Sequence, residues 1–260
     1  MLDTLTDGRV IAGLLRGTPN EYVTYNTNPS ESRARFEEAL LLIRRAWTER
    51  EPFGWEGRYF QYRAISIWPR PVQQPHPPLY MSGSSPESAG FAARNRVSLG
   101  LAVTTLPAAT AAAELSRKEA RATGWEPADE DVLYRLSFHV AASDEQAARD
   151  FEDSRKLPQR ISPIALNRAL ESTVAQTGYY GADNKRQRAR VLREAGLQDR
   201  VDAGQLLIGS PESVLSQAAA IAKTMRPGVL DLVPAFQIGP RTLQSIERFG
   251  AEVLPRLRDL

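Results

Sequence analysis

The sequence predicts an α/β fold built on a parallel sheet, and three observations carry that prediction. The strands are short and apolar throughout, they alternate with helical stretches, and 260 residues with 42% hydrophobic content supply a core. Five strands are legible: Val10–Leu15, Pro78–Ser82, Ser98–Val103, Val132–Ala141 and Val229–Pro234. Right-handed crossovers place the intervening helices outside the sheet, as in a doubly wound sheet or a (β/α) barrel. Five units are too few for a closed barrel of eight, so either the sheet is open or about three units are missing at its front.

Each element has a local reason. The first strand is bounded by Asp7-Gly8 and Arg16-Gly17 and reads as buried on both faces. A helix follows from Asn28, with Asn28 as cap, Pro29 in the first turn and Glu31 placed for a capping box. Phe36, Leu40, Ile43 and Trp47 form its apolar stripe, while Arg35, Glu38, Arg45 and Glu49 are expected to face water. Phe53 to Gln74 reads as a hairpin ending in a proline-rich passage. After the second strand, Gly83-Ser84-Ser85-Pro86-Glu87-Ser88 opens a helix through Ala93, and Ala108 to Ala122 follows the third strand as another. Ser143-Asp144-Glu145 opens a helix with acids at its positive end. Residues 155–205 lack a clear strand and read as an insertion of short helices and loop. Ile208-Gly209-Ser210-Pro211-Glu212-Ser213 then opens a capped helix to Met225. The closing helix spans Arg241 to Arg258, with Leu243, Ile246, Phe249, Val253 and Leu257 on one face.

Composition narrows the function classes. Lys+Arg 33 against Asp+Glu 31 leaves +2, so charge implies no nucleic acid partner. With no cysteine there is no disulfide, thiolate metal site or cysteine nucleophile, and the two histidines, His76 and His139, form no HExxH arrangement, so no metal is expected. The N-terminus does not look like a secretory signal and no 18-residue apolar run is present, so the chain is expected in the cytoplasm, away from membranes. There is no GxGxxG after a strand to suggest a dinucleotide-binding domain, and no GxSxG elbow.

The turn Gly83-Ser84-Ser85-Pro86-Glu87-Ser88 has the physics of an anion site: small residues, a proline in the first helical turn, and unpaired amides at a helix N-terminus. It equally suits a plain N-cap at Ser85, and the near-copy IGSPES at 208–213 shows how readily such caps recur. Arg16, directly after the first strand, would lie at the carboxyl end of the sheet, and Arg33 on the following helix could reach the same rim; both also suit ordinary surface arginines. His139, near the end of its strand, is a candidate for proton transfer or a packed histidine.

Taken together, DGRVIAGLLRG, ESRARFEEALLLIRRAWT, EGRYFQYRAISIWPRPVQQPHPPLYMSGSSPESAGFAAR, LIGSPESVLSQAAAI and FGAEVLPRL resemble, in order and spacing, the luciferase-like flavin-dependent monooxygenases, related to bacterial luciferase and the alkanesulfonate monooxygenases. The resemblance implies a (β/α)8 TIM barrel using reduced FMN and O2 to oxygenate a small organic substrate, with the reduced flavin supplied by a separate flavin reductase. It implies that Arg16, Arg33 and the turn Gly83, Ser84, Ser85 and Ser88 hold the flavin phosphate, that Val103 and Thr104 approach its ring, and that the second turn stays a cap. On such a barrel the 155–205 segment is the expected lid, with Tyr179 and Tyr180 as candidate substrate contacts. Against this family the first three βα units are expected to be absent, making residues 1–260 a single partial barrel: a truncated product, a chain read from a misplaced start, or one that associates with further copies or a completing chain. A deazaflavin-dependent hydride-transfer oxidoreductase of the same fold and a non-catalytic flavin-binding partner are the alternative readings.

Overall fold

A computed structural model describes residues 1–17, 19–102, 104–156, 195–236 and 239–257. They form two compact units, residues 1–81 and residues 82–156 with 195–257.

In the first unit, α1 (Leu2–Leu5) precedes β1 (Ala12–Leu14), α2 (Pro19–Thr24) and the long α3 (Ser32–Thr48). β1 runs parallel to β4 (Leu79–Ser82), pairing Ala12 with Leu79 and Leu14 with Met81. The strand is shorter than predicted and not buried on both faces, because Ile11 and Leu15 beside it are 61% and 69% exposed. Asn28 caps as expected, accepting from the Ser30 amide at 3.0 Å, but it caps a 3₁₀ turn over Pro29–Glu31. Glu31 completes no capping box; it pairs with Arg35 at 3.5 Å.

The predicted hairpin is present as β2 (Phe53–Glu56) antiparallel to β3 (Gln61–Ile65). Glu38 is not turned to water, as the helix period had it. Its carboxylate accepts from Trp55 Nε1 at 3.1 Å and from the Tyr59 and Phe60 amides at 3.0 Å each, so α3 grips the hairpin turn through one side chain. A Cβ at Gly57 would overlap the Glu38 carboxylate and push it off these donors. The proline-rich passage is anchored by Asp3, 5% exposed, which accepts from the Val72 and Gln73 amides at 2.7 and 3.0 Å.

The second unit is organised by β6 (Val132–Val140), which pairs in parallel with three strands. β8 (Val229–Pro234) follows one edge from Leu133 to Phe138. The other edge is shared: β5 (Ser98–Ala102) pairs along Val132 to Arg135, and β7 (Leu206–Gly209) along Ser137 to Val140. β7 is a strand the sequence reading missed; four residues merging into a helix cap give no period to detect. Around these strands lie α4 (Pro86–Arg94), α5 (Leu106–Ala122), α6 (Asp144–Lys156), α7 (Leu197–Asp202), α8 (Pro211–Met225) and α9 (Pro240–Arg248). Tyr134, Leu99, Leu101, Val140, Leu206 and Val214 are fully buried, and the Tyr134 hydroxyl donates to the Gly204 carbonyl at 2.7 Å.

The closing helix turns a different face inward than its apolar period predicted. Leu243 and Ile246 are 54% and 44% exposed, whereas Thr242 and Ser245 are buried. Ser245 Oγ accepts from the Val140 amide at 2.8 Å, a bond no leucine replaces, and Phe249 packs on Phe138 with ring centroids 4.9 Å apart. A π-turn over Phe249–Val253 then shifts the helix phase before α10 (Leu254–Leu257). Among the described residues no helix is long and apolar enough to cross a membrane.

Candidate functional site

Both serine turns are helix caps, and they differ in what they hold. At the first, Ser85 caps α4: its Oγ accepts from the Ser88 amide at 3.3 Å and donates to Ser88 Oγ at 3.1 Å. Gly83, whose amide donates to the Gly100 carbonyl at 3.2 Å, lets the backbone pass directly over Ser88. A Cβ at 83 would lie 2.7 Å from Ser88 Oγ and closer still to Ser88 Cβ.

The second turn repeats this geometry. Ser210 caps α8, accepting from the Ser213 amide at 3.4 Å and donating to Ser213 Oγ at 3.2 Å. Here the chain supplies its own anion. Asp144 accepts from the Ser210 amide at 2.7 Å and from Ser213 Oγ at 2.8 Å. The Ser210 amide above all, then the Ser213 hydroxyl, hold the Asp144 carboxyl below its ordinary value. A Ser-x-x-Ser cap at a helix N-terminus therefore holds an oxyanion inside this chain, and the first turn shares that cap with its glycine one residue further upstream. The sequence reading took Asp144 only as an acid beside a helix dipole; its spacing from the second turn gave no signal of this contact.

Arg16 and Arg33 belong to the first unit and the Gly83–Ser88 turn to the second. The Arg16 carbonyl accepts from the Tyr22 hydroxyl. Arg33, on the first turn of α3, pairs with Glu37 at 3.4 Å with both side chains more than a third exposed, a geometry that contributes little to stability. Thr104, just past β5, is half-buried, and its carbonyl accepts from Gln205 Nε2 at 3.3 Å and from the Tyr134 hydroxyl at 3.4 Å. Val103, Tyr179, Tyr180 and most of the 155–205 segment lie outside the described residues.

His139 is buried, 2% exposed, with its ring on Phe236 at 4.5 Å and Nε2 2.8 Å from Asp150 Oδ2. Asp150 also accepts from Gln146 Nε2 at 2.7 Å and pairs with Arg241 at 3.1 Å. Burial dominates and pushes the His139 pKa below its ordinary 6.5, although Asp150 pulls it back up. A base whose folded pKa is depressed binds its proton more readily in the unfolded chain. Its contribution is therefore fully present above 6.5 and is lost as pH falls from there toward the depressed value. Urea midpoints measured from about pH 7.5 to about pH 5 are expected to fall, with a shallower fall in His139→Gln; parallel profiles would remove the assignment.

Parallel strands with helices between them place a serine-lined cap just beyond a strand's carboxyl end, the rim at which α/β proteins hold their ligands. The comparisons make the class specific: the sequence matches the family model of the luciferase-like monooxygenases over residues 1–226, and the chain belongs to that family of enzymes. It is 24% identical over 264 residues to an FMNH2-dependent dimethylsulfone monooxygenase of Pseudomonas putida, across all of this chain and 69% of the relative. The crystal structure of monooxygenase RslO1 from Streptomyces bottropensis superposes with a TM-score of 0.75 at 25% identity, covering 98% of this chain and 71% of that one. An F420-dependent secondary alcohol dehydrogenase in complex with an F420-acetone adduct shares the fold, with a TM-score of 0.71 at 17% identity over 99% of this chain and 72% of that one. The fold neighbours are TIM barrels of the luciferase-like type.

Proposed function

We propose that this chain is an oxygenase using reduced FMN and O2 to oxygenate a small organic substrate, the reduced flavin being delivered by a separate reductase. The observation that carries the reading is the repeated turn: Ser210–Ser213 holds the Asp144 carboxylate, and Gly83–Ser88 offers the same cradle to a phosphate. The family match and the FMNH2-dependent relative supply the identity of the phosphate's owner.

In this reading the amide and hydroxyl groups of Ser84, Ser85 and Ser88 bind the phosphate at the positive end of α4, and Gly83 lets them approach it. Arg16 and Arg33 neutralise the phosphate through charge-assisted bonds, Arg33 exchanging its weak Glu37 partner for a dianion. Val103 and Thr104 border the flavin ring and exclude water, and Tyr179 and Tyr180 contact the substrate. Bound reduced FMN supplies the oxygen chemistry.

The test is a flavin titration. Each of Arg16→Ala and Arg33→Ala is expected to weaken FMN binding by about tenfold or more, and the pair by about a hundredfold, since each removes a charge-assisted bond. Unchanged affinity in the pair would remove the assignment. Oxygen consumption with chemically reduced FMN separates enzyme from silent binder. The deazaflavin reading, which the fold likeness to the F420-dependent dehydrogenase favours, predicts that reduced F420 binds in place of FMN.

A further inference from the structure

The end of α6 and the start of the α7 segment bring two arginines to one aromatic ring. Arg155 Cζ lies 5.7 Å and Arg200 Cζ 5.9 Å from the Phe151 ring centroid, and Phe151 itself is 3% exposed. Two guanidinium groups at one buried ring repel each other unless an anion is shared between them. Burial first, and the Arg155 charge second, lower the pKa of Arg200.

Four neighbouring carboxylates are engaged elsewhere. Asp150 serves His139, Gln146 and Arg241, and Asp153 pairs with Lys156 and Arg241. Asp199 accepts from the Gly196 amide at 3.1 Å, and Asp202 from Gln198 Nε2 at 2.7 Å. Among the described residues neither Arg155 nor Arg200 makes an ion pair; Arg155 donates only to the Ala195 carbonyl at 3.1 Å. Arg200 Nε is buried with no hydrogen-bond partner, a costly state that is rare without a ligand to satisfy it.

We propose that Arg200 and Arg155 form a second oxyanion site, distinct from the serine turn, which takes the carboxylate, sulfonate or phosphate group of a small ligand. Arg200 donates from Nε and Arg155 adds the second positive charge, both guanidinium carbons lying within about 6 Å of the Phe151 ring. The site rests on these residues alone and holds whether or not the flavin assignment does.

The test is sulfate titration of the whole chain, read on the arginine Nε–H signals of a ¹⁵N spectrum, so that binding at the serine turn is not mistaken for binding here. A saturable shift of the Arg200 Nε signal is expected, weakened about tenfold or more in Arg155→Gln, which leaves a polar side chain at an exposed helix end and keeps the fold. Butanesulfonate binding more tightly than sulfate would assign the site to an organic anion, and equal affinity to a free inorganic one. Absence of a saturable shift, or one unaffected by Arg155→Gln, overturns the proposal. So does a shift that appears only after Glu171→Gln, Asp183→Asn and Glu194→Gln are combined, because the chain's own carboxylate would then be the occupant.

Discussion

Gly83→Ala is expected to lower flavin affinity about a hundredfold, equivalent to two lost charge-assisted hydrogen bonds of about 1.5 kcal/mol each. The new methyl group would lie 2.7 Å from Ser88 Oγ and nearer still to Ser88 Cβ, which is fixed to the first turns of α4 and cannot swing aside. The helix end has to move, and with it every amide that would meet the phosphate. Stability falls as well, by about 1–3 kcal/mol, as for other overpacked sites. Gly209→Ala is the matched control. Gly209 sits at φ 144, where an L residue is strained, and its Cβ would lie 2.6 Å from Asp144 Oδ1 and 2.8 Å from Ser213 Cβ. That variant is expected to lose stability without losing flavin. Urea denaturation and flavin titration on both variants check the pair, and full affinity in a folded Gly83→Ala protein would end the phosphate assignment.

Asp150→Ala carries the largest expected loss of stability, about 3–5 kcal/mol, because it strips the buried His139 of its partner, frees Gln146 Nε2 and leaves Arg241 with Asp153 alone. His139, 2% exposed, loses its partner at 2.8 Å, and Gln146 and Arg241 lose theirs at 2.7 and 3.1 Å. The network ties β6 to α6 and α9. Replacing both ends together, His139→Phe with Asp150→Leu, is expected to recover part of the loss, since an apolar pair needs no partners. Equal midpoints for Asp150→Ala and the unaltered protein in urea would show that the network adds nothing.

How far these sites were legible depends on the range of the interaction behind each. Ser85 and Ser210 were readable as caps because a cap joins residues three apart, and the shared pattern Ser-Pro-Glu-Ser carries its own geometry. Asp144 was not readable as the anion of the second turn, because 66 residues separate it from Ser210 and its position on α6 suits an ordinary helix start equally well. Glu38 was misread for the same reason: the helical period assigns a face, but it does not know that a hairpin turn with three donors will be folded against that face. The reversal on the closing helix is sharper. Leu243 and Ile246 satisfy the apolar period better than Thr242 and Ser245, yet the sheet needed a hydroxyl acceptor for the Val140 amide.

The sequence by itself determined the parallel α/β class, the helix starts, the hairpin and the two serine turns, all of which follow from hydrophobic period and from hydrogen bonds between near neighbours. The tertiary structure alone decided that β6 shares one edge between β5 and β7, that Asp144 fills one cradle, and that Arg155 and Arg200 meet at Phe151. Period and capping act over one or two turns of chain, whereas the demand of a buried donor or charge is met by whichever partner the packed elements bring within reach.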